Sequence, residues 1–158
     1  MKQSARYISI INDERSQEMA QRINDILVGQ KKFRDKGYSA LLLSKDLRTN
    51  TRYVSVSLRK SFGMNYCQYV NQLRVEEAKA MLQTPEMDDM SMEDVSDMVG
   101  FATRQSFQTT FMRLVGISPL KYRKQRDLEI TNDNGKIQLY YHRAVCRRAT
   151  AALPFERL

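Results

Sequence analysis

The sequence predicts an all-α chain, and three features predict it. Glycine and proline are scarce, at 6 and 3 of 158 residues, too few for the many tight turns of a β-rich fold. Apolar residues recur at three- and four-residue intervals through most of the chain, the period of a helix face. Helix-capping side chains and helix-ending glycines fall at the edges of these runs. A composition of 42% hydrophobic and 28% charged residues is that of an ordinary globular protein. No apolar run approaches the ~18 residues of a membrane span. The start, MKQSARYISII, has neither the apolar core nor the cleavage site of a secretory leader, so none is expected.

Each helix follows from local signals. Met19, Ile23, Ile26 and Leu27 form an amphipathic stripe over Glu18–Val28, and Gly29 is its natural end. The turn-rich QKKFRDKGY leads to Ser39, an N-cap for a helix from Ala40 to about Arg48. Asn50 caps the next, in which Val54, Leu58 and Phe62 repeat every fourth residue and Gly63 closes. A longer helix runs from about Tyr66 to Gln83, before Pro85. Ser91 and Asp94 have capping-box spacing for a helix to Val99 that stops at Gly100. Thr103 caps a helix with Phe107, Phe111 and Leu114 on its core face, ending near Gly116. Pro119 opens a last helix through about Arg126. Phe62, Phe101, Phe107, Phe111 and Tyr122 are expected in the core, with Cys67 as an inert packing residue.

A weak internal repeat organises these helices. Leu43-Ser44 matches Val95-Ser96 at an offset of 52 residues. The offset then becomes 53, pairing Asn50 with Thr103, Val54 with Phe107, Leu58 with Phe111, Lys60 with Arg113, Gly63 with Gly116 and Tyr69 with Tyr122. Each copy is a short helix, a tight turn and a longer capped helix. That is the helix-turn-helix unit, whose second helix enters the DNA major groove.

Charge points to the same partner. Lys and Arg total 26 against 18 Asp and Glu, a net charge of +8, which favours a polyanion. No acidic residue occurs from Leu47 to Val75 or from Met98 to Arg126, while Glu86, Asp88, Asp89, Glu93, Asp94 and Asp97 cluster between. One histidine, two distant cysteines and no glycine-rich phosphate loop leave little for catalysis or a metal site. No enzyme activity, cofactor or metal is expected, and the two cysteines place the chain in a reducing compartment.

Val95-Ser96-Asp97-Met98-Val99-Gly100-Phe101, then Ser106-Phe107, Phe111, Gly116, Ser118-Pro119 and Tyr122-Arg123, resemble the AraC-type signature, whose end is G-x-S-P-x-x-Y-R. Leu47 to Ser55, Tyr69-Val70-Asn71 and Arg74-Val75-Glu76-Glu77-Ala78 look like the variant of Bacteroides-like bacteria. The resemblance covers about residues 16 to 126. It implies a seven-helix domain with two helix-turn-helix motifs held by a linker helix, here roughly Tyr66 to Gln83. It also implies cytoplasmic transcriptional regulation, often activation, with double-stranded DNA and RNA polymerase as partners and no membrane. Three departures stand out. Arg48 takes the place of a turn glycine, where a left-handed backbone costs about 1 kcal/mol. Ser44 and Ser96 replace a small Ala, so each hydroxyl needs a partner, for which a carbonyl one turn back serves. Leu41 and Leu42 replace polar residues and suggest an extra contact surface.

Groove-facing residues lie opposite the core stripe, towards the start of each recognition helix. In the first helix these are Thr51, Arg52, Ser55, Val56 and Arg59. Arg52 suits a bidentate bond to guanine, Ser55 bonds most bases weakly, and Val56 suits a thymine methyl. In the second, Arg104, Gln105, Gln108 and Thr109 are the base-contacting set, with Gln105 or Gln108 on adenine. Thr51, Arg59, Lys60, Thr103, Arg113, Lys121 and Arg123 are expected on phosphates, which position without specifying. The two readers are unlike, so a monomer suffices, with dimers on repeated sites left open, and the site is a non-palindromic pair of boxes. A linker helix about 27 Å long suggests box centres about 10–10.5 base pairs apart in a site of roughly 15–20. Residues 1–15 read as an N-terminal arm, and 127–158 as a partly disordered tail with a turn at Asn132 to Gly135 and a strand or arm at Ile137 to Tyr141. The competing class is a protein-interaction module that keeps the fold but has lost specific DNA binding, with Arg48, Leu41 and Leu42 as its symptoms.

Overall fold

The computed structural model describes residues 13–130. The expectations for the N-terminal arm before residue 13 and for the turn and strand of the tail lie outside the described residues. Seven α-helices appear: α1 (Asp13–Asn24), α2 (Ala40–Asp46), α3 (Thr51–Phe62), α4 (Tyr66–Leu82), α5 (Met92–Val99), α6 (Arg104–Val115) and α7 (Pro119–Ile130). No strand occurs among the described residues. α1 starts five residues earlier than its apolar stripe suggests and passes into a π turn at Asp25–Gly29. α7 runs four residues beyond the expected Arg126.

The caps follow the side-chain chemistry of the sequence. Ser39 Oγ accepts from the Leu42 amide at 3.4 Å, Asn50 Oδ1 from Tyr53 at 2.8 Å, and Thr103 Oγ1 from Ser106 at 3.1 Å. Ser91 and Asp94 form the reciprocal capping box. The serine hydroxyl and amide both donate to the Asp94 carboxylate, and these bonds hold its pKa below the ordinary value. Gly63, Gly100 and Gly116 end their helices with φ of 69°, 94° and 89°, values only glycine adopts without a steric cost.

The chain divides within α4, between Leu73 and Arg74, into two compact units. In the first, Ile23 and Leu27, Leu43, Val54 and Leu58, and Tyr69 pack as one buried cluster. Phe62 stacks on Tyr69 with centroids 4.7 Å apart. The Tyr69 hydroxyl donates to Asn24 Oδ1 at 3.1 Å, and burial pushes its pKa up to about 12. Tyr38 is held well above the ordinary phenol range, first by burial and then by its 2.6 Å hydrogen bond to the Asp46 carboxylate. In the second unit, Val75, Ala78 and Leu82 of α4 pack with Val95, Val99, Phe101, Phe107, Phe111 and Val115. Phe101, Phe107, Phe111 and Tyr122 follow one another at 5.5–5.6 Å, and Arg74 lies over the Phe101 ring at 5.6 Å.

Two packing expectations change. Leu114 is 40% exposed while Val115 is buried: the α6 core face continues from Phe107 by steps of four, and Val115 is the repeat partner of Phe62. Cys67 is exposed on α4 and does not pack in the core. The two substituted serines differ. Ser44 Oγ donates to the Leu41 carbonyl at 2.8 Å, but Ser96 Oγ is buried with no partner. An unsatisfied buried hydroxyl carries its full desolvation cost. Ser96→Ala is therefore expected to raise the unfolding free energy by about 1 kcal/mol, and Ser44→Ala to give no such gain. Denaturant unfolding of the two variants checks this, and equal effects would refute the distinction.

Candidate nucleic-acid interface

The two motifs are built alike from the backbone upward. At the end of α2, the Arg48 amide donates to the Lys45 carbonyl at 3.0 Å and the Thr49 amide to Ser44 at 2.9 Å. At the end of α5, Gly100 donates to Asp97 at 3.1 Å and Phe101 to Ser96 at 3.0 Å. Both pairs are the Schellman arrangement. Arg48 accordingly takes φ of 53°, so the first turn is not rebuilt around its missing glycine. It adopts the glycine conformation and carries the strain. Arg22 of α1 adds a side-chain hydrogen bond from Nη2 to the Leu47 carbonyl at 3.2 Å. One extra residue, Ala102, lies between the second turn and its cap.

From these turns α3 and α6 each run for 12 residues, with no acidic residue in either. On α3, Thr51, Arg52, Ser55 and Arg59 are exposed, and Lys60 is half-buried. The Ser55 hydroxyl donates to the Thr51 carbonyl at 2.9 Å, which leaves its lone pairs as acceptors. Val56 departs from expectation: it is buried, together with Val54, Ser57 and Leu58. α3 is covered on more than one side, an aliphatic side chain gains from that burial, and Val56 presents little surface. On α6, Arg104, Gln105, Thr109 and Arg113 are exposed, Gln108 is half-buried, and the capping Thr103 is exposed. Met112, 52% exposed, also lies on this face. The repeat signals it, since the 53-residue offset pairs Met112 with Arg59.

Lys121 is exposed on the first turn of α7, its amide donating to Ser118 Oγ at 3.3 Å. Arg123, expected on a phosphate, is half-buried and bonded within the chain. Its Nη1 donates to the carbonyls of Asp88 and Met90 at 3.1 and 2.8 Å, and its Nε and Nη2 are buried. The guanidinium ties α7 to the turn before α5. The six acidic residues between Glu86 and Asp97 are exposed on that turn and α5, outside both recognition helices. Leu41 and Leu42 are 56% and 40% exposed on α2. No helix of the described residues is long and apolar enough to cross a membrane, and no cluster of His, Cys, Asp or Glu among them could hold a metal ion.

Comparison with known proteins agrees with this geometry. A family model described as a helix-turn-helix domain matches residues 43–125. The chain is similar to the uncharacterized HTH-type transcriptional regulator YtdP of Bacillus subtilis, 30% identical over 84 residues, which are 53% of this chain and 10% of that protein. It is similar to the Msm operon regulatory protein of Streptococcus mutans, 29% identical over 83 residues, 52% of this chain and 29% of that one. The matched part thus spans between a tenth and three tenths of these curated relatives. Among solved structures, the C-terminal domain of the two-component response regulator yesN from Fusobacterium nucleatum superposes with a TM-score of 0.58 at 28% identity, over 66% of this chain and 96% of that one. With two capped recognition helices behind matching turns, and a family match across more than half its length, this chain belongs to the AraC-type helix-turn-helix family of transcriptional regulators.

Proposed function

We propose that the chain binds specific double-stranded DNA, reading one major-groove segment with α3 and an adjacent one with α6, and so regulates transcription. The observation that carries this reading is the pair of equal-length, acid-free, N-capped helices with polar and basic residues exposed along one side. Arg52 and Ser55 read bases from α3, and Arg104, Gln105, Gln108 and Thr109 from α6. Thr51, Arg59, Lys60, Thr103, Arg113 and Lys121 hold phosphates. Val56 and Arg123 leave the set because of their burial and their internal bonds. No residue is assigned a catalytic role, and no cofactor is invoked. The protein works in the cytoplasm, one copy engages both boxes, and RNA polymerase is the machinery it acts on. The exposed Leu41 and Leu42 support an added protein-contact surface on α2 beside DNA binding.

Selection of bound duplexes from a random pool tests the reading. Two unlike boxes are expected. Arg52→Ala should relax one position in the first and Gln105→Ala one in the second, each at a cost of roughly 1–3 kcal/mol at its base pair. Identical preferences for the wild type and both variants would sink the base-reading assignment.

A further inference from the structure

The repeat contains one position where the two motifs meet the same backbone demand with different residues. Arg48 and Gly100 both end a short helix, both make the paired turn hydrogen bonds, and both have positive φ, 53° and 94°. Glycine does this freely, whereas the arginine Cβ crowds its own backbone. A bulky residue held left-handed at a turn is grounds for asking what its side chain does. That side chain is exposed, and makes no hydrogen bond or ion pair among the described residues. It lies in the acid-free stretch from Leu47 to Val75, two residues before Asn50, the cap of α3. The turn beneath it is pinned by two backbone bonds and by Arg22 on the Leu47 carbonyl, so the side chain departs from a fixed base.

We propose that Arg48 is a further DNA-contacting residue, holding a phosphate beside the segment read by α3. A guanidinium has a fixed fork of donors suited to phosphate oxygens, and it positions the protein without reading sequence. The rival explanation is local: a cation at the C-terminal end of α2 interacts favourably with the helix dipole. The two differ in what Arg48→Gly does, because only the phosphate contact makes the arginine matter to DNA.

The inference rests on the DNA-binding reading above, and the test separates the two. The full chain and its Arg48→Gly, Arg48→Asn and Arg48→Lys variants are titrated with the selected duplex across a salt series, and their melting is followed by circular dichroism. Arg48→Gly should melt higher by roughly 2–4 °C, since it relieves the strained turn, and yet bind more weakly. One phosphate contact carries a salt slope of about 0.9 and, counted from 1 M, about eightfold in affinity at 0.1 M salt. That loss and that shallower slope are expected for Arg48→Gly and Arg48→Asn on every duplex, with Arg48→Lys keeping the wild-type slope. Unchanged affinity and slope in Arg48→Gly overturn the contact, as does weaker binding with an unchanged slope. Lower melting with unaltered binding assigns the arginine to the helix end and also overturns it. A wild-type chain that binds no duplex overturns the DNA-binding reading itself, before any variant is compared.

Discussion

Phe107→Ala is expected to lower the unfolding free energy by about 3–5 kcal/mol, a large share of the roughly 5–15 kcal/mol that holds a domain folded. Phe107 is fully buried, with ring contacts to Phe101 at 5.5 Å and to Phe111 at 5.6 Å. Truncation removes its apolar area and leaves a cavity between α6 and its neighbours that rigid aromatic rings cannot collapse to fill. The same substitution at Leu114, 40% exposed on the same helix, should stay within about 0.5 kcal/mol. Urea unfolding followed by circular dichroism at 222 nm measures both. Comparable losses at the two positions would mean that the α6 core face runs through Leu114 after all.

DNA affinity is expected to fall steeply with salt. Five basic side chains were candidates for phosphate on sequence grounds, but Arg123 is committed to the carbonyls of Asp88 and Met90. Arg59, Lys60, Arg113 and Lys121 remain, and at about 0.9 per phosphate they give a slope near −3.6. Arg48 would restore a fifth contact and a slope near −4.5. Between 50 and 200 mM salt the affinity should therefore drop by about 150-fold to 500-fold. Fluorescence anisotropy with the selected duplex reads the slope directly. A flat salt dependence would mean that phosphates contribute little, and would favour the protein-interaction reading of this fold.

The helices and their ends were legible because their causes are local. Ser39, Asn50, Ser91 and Thr103 cap the amides three residues on, and Gly63, Gly100 and Gly116 relax at positive φ. None of these needs a distant partner. The repeat was legible for the same reason, and it exposed Arg48 as the departure. The turn still forms there, because paired backbone hydrogen bonds and the Arg22 strut outweigh a strain of about 1 kcal/mol.

Much of the candidate site could also be read, since exposure on an amphipathic helix follows from the stripe it buries. An all-α chain, two helix-turn-helix units and two acid-free recognition helices that carry different residues can be read from the order of residues. The remainder depends on packing between elements distant in the chain. Val56 is buried because α3 is covered on more than one side, a matter of what packs around it and not of its spacing. Arg123 turns its Nη1 inward because its carbonyl partners lie 33 and 35 residues away in the chain. A three-residue stripe fixes the direction of a helix face, but its width and the long-range partners of its polar groups depend on neighbours that only folding assembles.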